Sequence, residues 1–271
     1  MKVATWNVNS VRTRLQHVTD WLSAHEVDLL CLQETKVVDA DFPRDAFTDL
    51  GYETYVYGQK SYNGVALISR SPLEEVTMGF APVVGEAIAQ EFDDQKRVIA
   101  ATLNGVRVVD LYVPNGSSIG SEKYDYKMRW FQVLHTYLES VLKNQSDLVV
   151  CGDFNIALDD RDIYNPEGKA KHIMSSPQER EVLTQSVLDL GLADAFRKFT
   201  SEGGYFSWWD YRAAAFRRNM GWRIDHHYVS PSVYERAIAC TIDTEPRKLE
   251  KPSDHTPVVL EIRSLIELKS F

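Results

Sequence analysis

Cysteine is scarce in this chain: Cys31, Cys151 and Cys240 each sit inside an apolar run (DLLCLQE, LVVCGDFN, AIACTID), and none stands in CxxC spacing. An odd number of thiols without paired spacing excludes a disulfide framework and a cysteine zinc site, and predicts reduced core residues in a cytoplasmic protein. Gly (14) and Pro (10) are too few for a collagen-like or low-complexity chain. No window approaches the ~18 consecutive apolar residues of a membrane span. The opening MKVATWNVNS alternates like a strand and lacks the basic-then-apolar run of a signal peptide. GxxxxGK(S/T) and HExxH are also missing, which removes the usual support for a P-loop and a zinc protease. Positive charge is in deficit, with 30 Lys and Arg against 39 Asp and Glu and a net charge of −9. That argues against gripping nucleic acid by bulk charge, but leaves room for a local basic patch.

What the chain does have is 271 residues, 44% of them hydrophobic, with no linker, charge block or repeat to divide them. One α/β domain over residues 1–271 is the simplest expectation. Short apolar runs bounded by turn residues recur as KVATWNV, DLLCLQE, GVALISR, RVIAATLN, VRVVDLYV, DLVVCGDFN, WRIDHHYV, AIACTID and TPVVLEI, and these read as strands. Helical spacing appears in Val11, Leu15, Val18 and Leu22, in Trp130, Leu134, Leu138 and Val141 or Leu142, and more weakly over 178–190. Two packed sheets with helices outside accommodate this alternation.

Polar residues cluster where apolar runs end: Asn7 and Asn9 after the first, Gln33 and Glu34 after the second, Asp153 and Asn155 in CGDFN. Strand alternation puts Asn7 with Asn9, and Asp153 with Asn155, on common faces. Asp225 in WRIDHH and the pair Asp254 and His255 in PSDHTPV extend the set. Singly these are ordinary turn residues. Collectively, carboxylates and amide oxygens form a hard donor set that suits Mg²⁺ or Mn²⁺. A carboxylate beside an imidazole can fix its tautomer and support its charge next to a phosphate.

Taken in order, WNVNS at 6–10, LCLQETK at 30–36, YNGVALISR at 62–70, LYVPNG at 111–116, GDFNIALDDRDIYNP at 152–166, GWRIDH at 221–226 and SDHTPV at 253–258 cover nearly the whole chain. In this set the sequence resembles the exonuclease III family of abasic-site endonucleases, within the DNase I-like superfamily of metal-dependent phosphodiesterases. The resemblance implies a four-layered α/β sandwich, two packed mixed sheets flanked by helices. It implies that Glu34 is the principal metal ligand, with Asn7 and Asp254 close to the metal, Asp153 and Asn155 within its reach, and Asn9 lining the site. Asp153 and Asn155 match the pair that handles the attacking water and a phosphoryl oxygen. His255 with Asp225 matches an imidazole that bonds the scissile phosphate, or alternatively the base itself. Tyr112 and Asn115 match phosphate-contacting positions.

The resemblance also gives a use for tryptophans. Trp208, Trp222 and Ile224 match the walls of an apolar pocket for an everted abasic sugar, too small for a base. Arg212, in the same stretch, is expected on the substrate side. The implied reaction is Mg²⁺-dependent hydrolysis (Mn²⁺ as a substitute) of the phosphodiester 5′ to an abasic site in duplex DNA, leaving 3′-hydroxyl and 5′-deoxyribose phosphate ends, with removal of 3′-terminal nucleotides and 3′-blocking groups. The expected enzyme is a monomer whose partner is duplex DNA and not a membrane. Rival readings are a superfamily phosphatase for a phosphorylated lipid or inositol, and a catalytically silent DNA-binding scaffold. One departure is His226 and His227, where apolar or aromatic residues are expected. Alternation sends His227 to the side of Asp225, where it either disturbs the Asp225 and His255 pair or packs behind it, with packing favoured. Finally, residues 197–223 hold six basic residues (Arg197, Lys198, Arg212, Arg217, Arg218, Arg223) and two acidic ones, a local charge of +4 that leaves −13 elsewhere. Positive charge and pocket are thus expected to coincide.

Overall fold

The computed structural model describes residues 1–263; positions 264–271 of the domain expected over 1–271 lie outside the described residues. Twelve strands follow one another as β1 (Lys2–Asn7), β2 (Leu29–Gln33), β3 (Glu53–Tyr57), β4 (Val65–Ser69), β5 (Glu74–Met78), β6 (Val98–Leu103), β7 (Val106–Tyr112), β8 (Leu148–Asp153), β9 (Ala193–Asp194), β10 (Asp225–Val229), β11 (Ala237–Ile242) and β12 (Val258–Ile262). They form two six-stranded sheets, ordered β11-β12-β1-β2-β4-β3 and β5-β6-β7-β8-β10-β9. All nine runs expected as strands are present. The three unexpected strands, β3, β5 and β9, are edge strands. β5 is mostly solvent-facing and β9 has only two residues, so neither carries the apolar alternation of a half-buried strand.

Each sheet is mixed. β1 runs parallel to β2 and β7 parallel to β8, while the remaining pairs are antiparallel. Parallel neighbours end at the same edge, so Asn7 and Gln33 finish together in one sheet, and Tyr112 and Asp153 in the other. β10 is antiparallel and begins at that edge, with Asp225 opposite Asp153. β12 likewise begins there, which brings in residues 253–255 just before it.

Between the sheets lies an apolar layer with Val3, Leu29, Cys31 and Leu67 on one side and Ile99, Val108, Val149 and Cys151 on the other. The Leu15–His25 helix covers the first sheet through Val18, Trp21 and Leu22. The Glu122–Leu142 helix covers the second through Trp130, Leu134, Leu138 and Val141, with the Pro177–Ser186 helix beside it. Val11 lies outside the first helix in a turn, although it is buried. Local chemistry explains where the other two begin. Ser121 caps the Tyr124 N–H, and Ser176 with Glu179 forms a capping box before Pro177. Helix, sheet, sheet, helix is the expected four-layered order. The three cysteines are buried and unpaired.

Candidate active site

The side chains at the shared edge meet across the gap between the sheets. Asn7 Nδ2 donates to Glu34 Oε1 and to Asp153 Oδ2, both at 2.9 Å, so one amide nitrogen bridges the two carboxylates. The Asn7 oxygen accepts from the Asn9 N–H at 3.0 Å. Glu34 follows the end of β2 in a left-handed conformation (φ 51°), stabilised by neighbouring backbone bonds from Ser10 to its carbonyl and from Thr35 to Gly64. Lys36 Nζ sits on Glu34 Oε2 at 2.8 Å and donates to Asn9 Oδ1 at 2.6 Å.

Gly152 explains why GDFN begins with glycine. At its position (φ 139°) a Cβ would come within 1.9 Å of the Leu111 carbonyl, so only glycine lets β7 and β8 hold Tyr112 opposite Asp153. Asp153 then turns the chain, its Oδ1 accepting from the Asn155 N–H at 2.9 Å. Asn155 lies past the strand end at φ 49°, and Asn9 at φ 44°. Strand alternation therefore does not reach either asparagine, and turn geometry brings both to the site. Asn155 Nδ2 donates to the Val113 carbonyl at 2.9 Å, and Asn115 Nδ2 to Asn155 Oδ1 at 3.0 Å. Beneath them the fully buried Lys127 donates to the carbonyls of Asn115 and Asn155 and pairs with Glu179 at 2.6 Å.

His255 stands between two carboxylates. Its Nδ1 is 2.9 Å from Asp225 Oδ2, and its Nε2 is 3.7 Å from Asp153 Oδ2. Burial works against the imidazolium, but Asp225 and then Asp153 outweigh it and push the pKa of His255 up to about 10. Burial raises the Asp153 carboxyl to about 7, against the opposing effects of His255 and the Asn7 hydrogen bond. The pair thus couples a carboxylate poised near neutrality to an imidazolium. Asp254, by contrast, is held below the ordinary carboxyl range: burial opposes this, but His255 and the hydrogen bonds from Trp208 and Asn9 prevail. Trp208 Nε1 donates to Asp254 Oδ2 at 3.0 Å, and Asn9 Nδ2 to Asp254 Oδ1 at 3.1 Å. Tyr112 lies under the Arg97 guanidinium, 4.6 Å from its ring. Burial and the Glu34 carboxylate push its hydroxyl well above the ordinary range, leaving it a donor at neutral pH.

Trp208, Trp222 and Ile224 do come together, packed with Ala157, Ile163 and Met174. Trp208 and Trp222 exchange backbone bonds, and Trp208 also bridges to His255, which ties the apolar cluster to the His255 and Asp225 pair. Ser207 fixes the start of β10, its hydroxyl accepting from the N–H groups of Ile224 and Asp225. Arg212 stands apart, highly exposed and paired with Asp210 at 2.7 Å. A groove of about 670 Å³, lined by Arg97, Tyr112, Asn115 and Tyr126 among others, opens beside the site. Sequence reading missed Lys127, Ser207 and Tyr211, whose hydroxyl donates to the Pro252 carbonyl at 2.9 Å and receives Asn9. Lys36 lies inside LCLQETK, Ser253 opens SDHTPV and donates its hydroxyl to the Asn7 carbonyl at 2.7 Å, and Ser207 and Tyr211 lie within the aromatic stretch 205–211, so these carried a signal.

The expected coincidence of basic charge and pocket needs correction. Arg223 is buried and bonded to Asp162 and Asp194 at 2.6 Å each, and Arg197 also pairs with Asp162. Lys198 is taken up by the carbonyls of Tyr234, Glu235 and Ala237. Acids outside the stretch pair with Arg197 and Arg223 and carbonyls hold Lys198, so half of the six charges are engaged within the protein. Arg217 and Arg218 remain exposed.

A match to the model of the endonuclease/exonuclease/phosphatase family spans residues 4–255. The chain belongs to this family. It is 35% identical to an exodeoxyribonuclease of Bacillus subtilis, over 97% of this chain and 99% of that one. With exodeoxyribonuclease III of Haemophilus influenzae it shares 34% identity over 97% of this chain and all of the other. Among solved structures, the 3′ phosphatase NExo from Neisseria bound to product DNA hairpin matches with a TM-score of 0.92 and 41% identity, covering 97% of this chain and 99% of NExo. An AP endonuclease from Archaeoglobus fulgidus matches at 0.89 and 38% over the same shares.

A metal centre fits the family member's donors, and their chemistry separates two groups. Asp153, Asp225 and His255 offer ligand atoms within 4.8 Å of one another. A metal needs a neutral imidazole, whereas Asp225 and Asp153 favour the charged form of His255. Glu34 fits better: its carboxylate already attracts the Lys36 ammonium, and the Asn7 amide nitrogen links it to the Asp153 carboxylate.

Proposed function

We propose that this chain is a Mg²⁺-dependent DNA repair nuclease that hydrolyses the phosphodiester 5′ to abasic sites in duplex DNA and trims 3′-terminal nucleotides and blocking groups at the same centre. The observation that carries this reading is the direct join between chemistry and selectivity: Trp208 is bonded to Asp254 and bridged to His255, while packing with Trp222 and Ile224. A phosphatase for small phosphorylated lipids or inositols has no need of that cluster. A silent scaffold has no need of a carboxyl tuned to about 7.

Each residue then has a task. Asp153, ionised above about pH 7, orients the attacking water and takes its proton, with Asn155 held beside it. His255, kept cationic by Asp225, donates to a phosphoryl oxygen, and the Tyr112 hydroxyl and Asn115 amide supply further donors. Glu34 would hold the Mg²⁺, with Asn7, Asp153, Asn155 and Asp254 around it; Mn²⁺ is a substitute. When bound, the ion offsets phosphate charge and stabilises the leaving 3′ oxygen. The Trp208, Trp222 and Ile224 cluster receives the sugar that lacks a base. We propose further that the enzyme acts as a monomer in the cytoplasm, a setting that suits three unpaired thiols.

The test is a duplex oligonucleotide carrying one abasic analogue, incubated with Mg²⁺ and separately with EDTA, beside an intact duplex and a phosphoinositide. Metal-dependent incision at the analogue is expected. Its absence overturns the reading, and phosphoinositide cleavage in its place installs the rival.

A further inference from the structure

Below the site, between the sheets, Gln33 of β2 faces Asp110 of β7. Gln33 Nε2 donates to Asp110 Oδ1 at 2.6 Å, to Thr5 Oγ1 at 2.8 Å and to the Cys31 carbonyl at 3.2 Å. The Cys31 carbonyl can only accept, which settles which end of the amide is nitrogen. Both side chains have no exposure at all. The other end of each, Gln33 Oε1 and Asp110 Oδ2, has no partner among the described residues.

Among the described residues no cation offsets a charge at Asp110. Burial pushes its carboxyl well above the ordinary range, and the only opposing influence is the Gln33 hydrogen bond. The neighbouring thiols of Cys31 and Cys151 are pushed up by burial and stay neutral, and His227, in register beyond Cys151, is pushed down and is neutral too. An ionised Asp110 would therefore be an unpaired buried charge, and it would leave two acceptors without donors. One proton removes both defects, because Oδ2–H is the donor that Gln33 Oε1 lacks, and acid and amide then close a ring of two hydrogen bonds.

We infer that Asp110 is held as a neutral carboxylic acid paired with Gln33, and that this pair is a positioning element locking the two halves of the active site together. Gln33 immediately precedes Glu34, and Asp110 stands two residues before Tyr112 on the same strand. The pair belongs to different sheets, so it fixes the spacing of the carboxylate side against the phosphate-donor side. Asn7 and Asp153 make the corresponding bond at the active-site end of the same seam. The positioning role rests on the nuclease reading above; the protonation state does not.

Two measurements test the inference. Infrared spectra of wild type and Asp110→Asn at neutral pH, both metal-free, are expected to differ by one protonated-carboxyl stretching band present only in the wild type. Absence of that difference means Asp110 is ionised and overturns the inference, whatever the enzyme cleaves. On abasic duplex, Asp110→Asn keeps both ring bonds and should hold kcat within about twofold, whereas Asp110→Leu should lower kcat by about tenfold with KM within about twofold. Unchanged kcat in Asp110→Leu overturns the positioning role. Should Asp110→Leu not fold, the exchanged pair, Asp110→Asn with Gln33→Glu, carries the test. It restores one acid and one amide, so it should keep kcat within about threefold of wild type, and a tenfold loss overturns the role. Failure of wild type to incise abasic DNA would sink the nuclease reading and leave the infrared result standing.

Discussion

Asn7 and Asp153 belong to different sheets, yet the amide of one donates to the carboxylate of the other at 2.9 Å. The same nitrogen reaches Glu34. A single side chain thus fixes the carboxylate proposed to hold the metal against the carboxylate proposed to activate water, and the predictions follow from how that unit is charged.

Asp153→Asn keeps the shape of the site and removes the proposed base. Turnover on abasic duplex is expected to fall by about 10³-fold, within the range for loss of a positioned base, while binding changes by no more than several fold. Single-turnover kinetics and a binding titration check this; equal loss in both would remove Asp153 from the chemistry.

In metal-free protein the His255 ring should remain protonated through neutral pH and lose its proton near about 10. Its folded pKa lies above the unfolded value, so the stability it contributes is complete below about pH 6.5 and fades as pH rises towards 10. Histidine ring nitrogen shifts in NMR report the titration directly. Asp225→Asn removes the largest raising influence and should bring the midpoint down; an unmoved midpoint contradicts the pairing.

His227 makes the opposite case. It is buried in the inter-sheet layer, and burial depresses its pKa to about 3. The unfolded chain then binds the extra proton, and stability falls as pH drops below about 6.5. At pH 5 this amounts to about 2 kcal/mol, which His227→Phe should recover. Denaturant unfolding at pH 5 and pH 8 measures it, and an equal effect at both values would show that protonation is not the cause.

Trp208→Ala with Trp222→Ala should erode the preference for abasic over intact duplex. The ratio of kcat/KM values on the two substrates is the readout, and an unchanged ratio would detach the cluster from selectivity.

Internal pairing of Arg197, Lys198 and Arg223 leaves few mobile cations near the pocket. The salt dependence of duplex binding should therefore be shallow. Removing Arg217 and Arg218 should lower the log–log slope by about 1 for each that meets a phosphate. A steep slope, unaffected by both substitutions, would place the contacts elsewhere.

The sequence made the layered fold legible because buried central strands carry unmistakable apolar runs, whereas edge strands such as Glu74–Met78 do not. Site residues were legible for a related reason: polar side chains at the ends of such runs break the pattern. Asn9 and Asn155 arrived by turns and not by alternation, since both adopt positive φ just beyond their strands. Lys127 gave no sign, because an isolated lysine in a helical stretch reads as solvated until Glu179 and two loop carbonyls close over it. The charge of residues 197–223 misled for the same reason, as Asp162 and Asp194 neutralise it from outside the window.

Strand β1 lies between β2, its near neighbour in sequence, and β12, from the far end of the described chain. His255 sits immediately before β12. Pairing across so long a sequence separation costs chain entropy on loop closure. The imidazole of the acid-base pair therefore reaches Asp153 and Asp225 only when the first sheet is completed. A partly folded chain would hold its carboxylates without the cation that tunes them, and so would carry no competent nuclease.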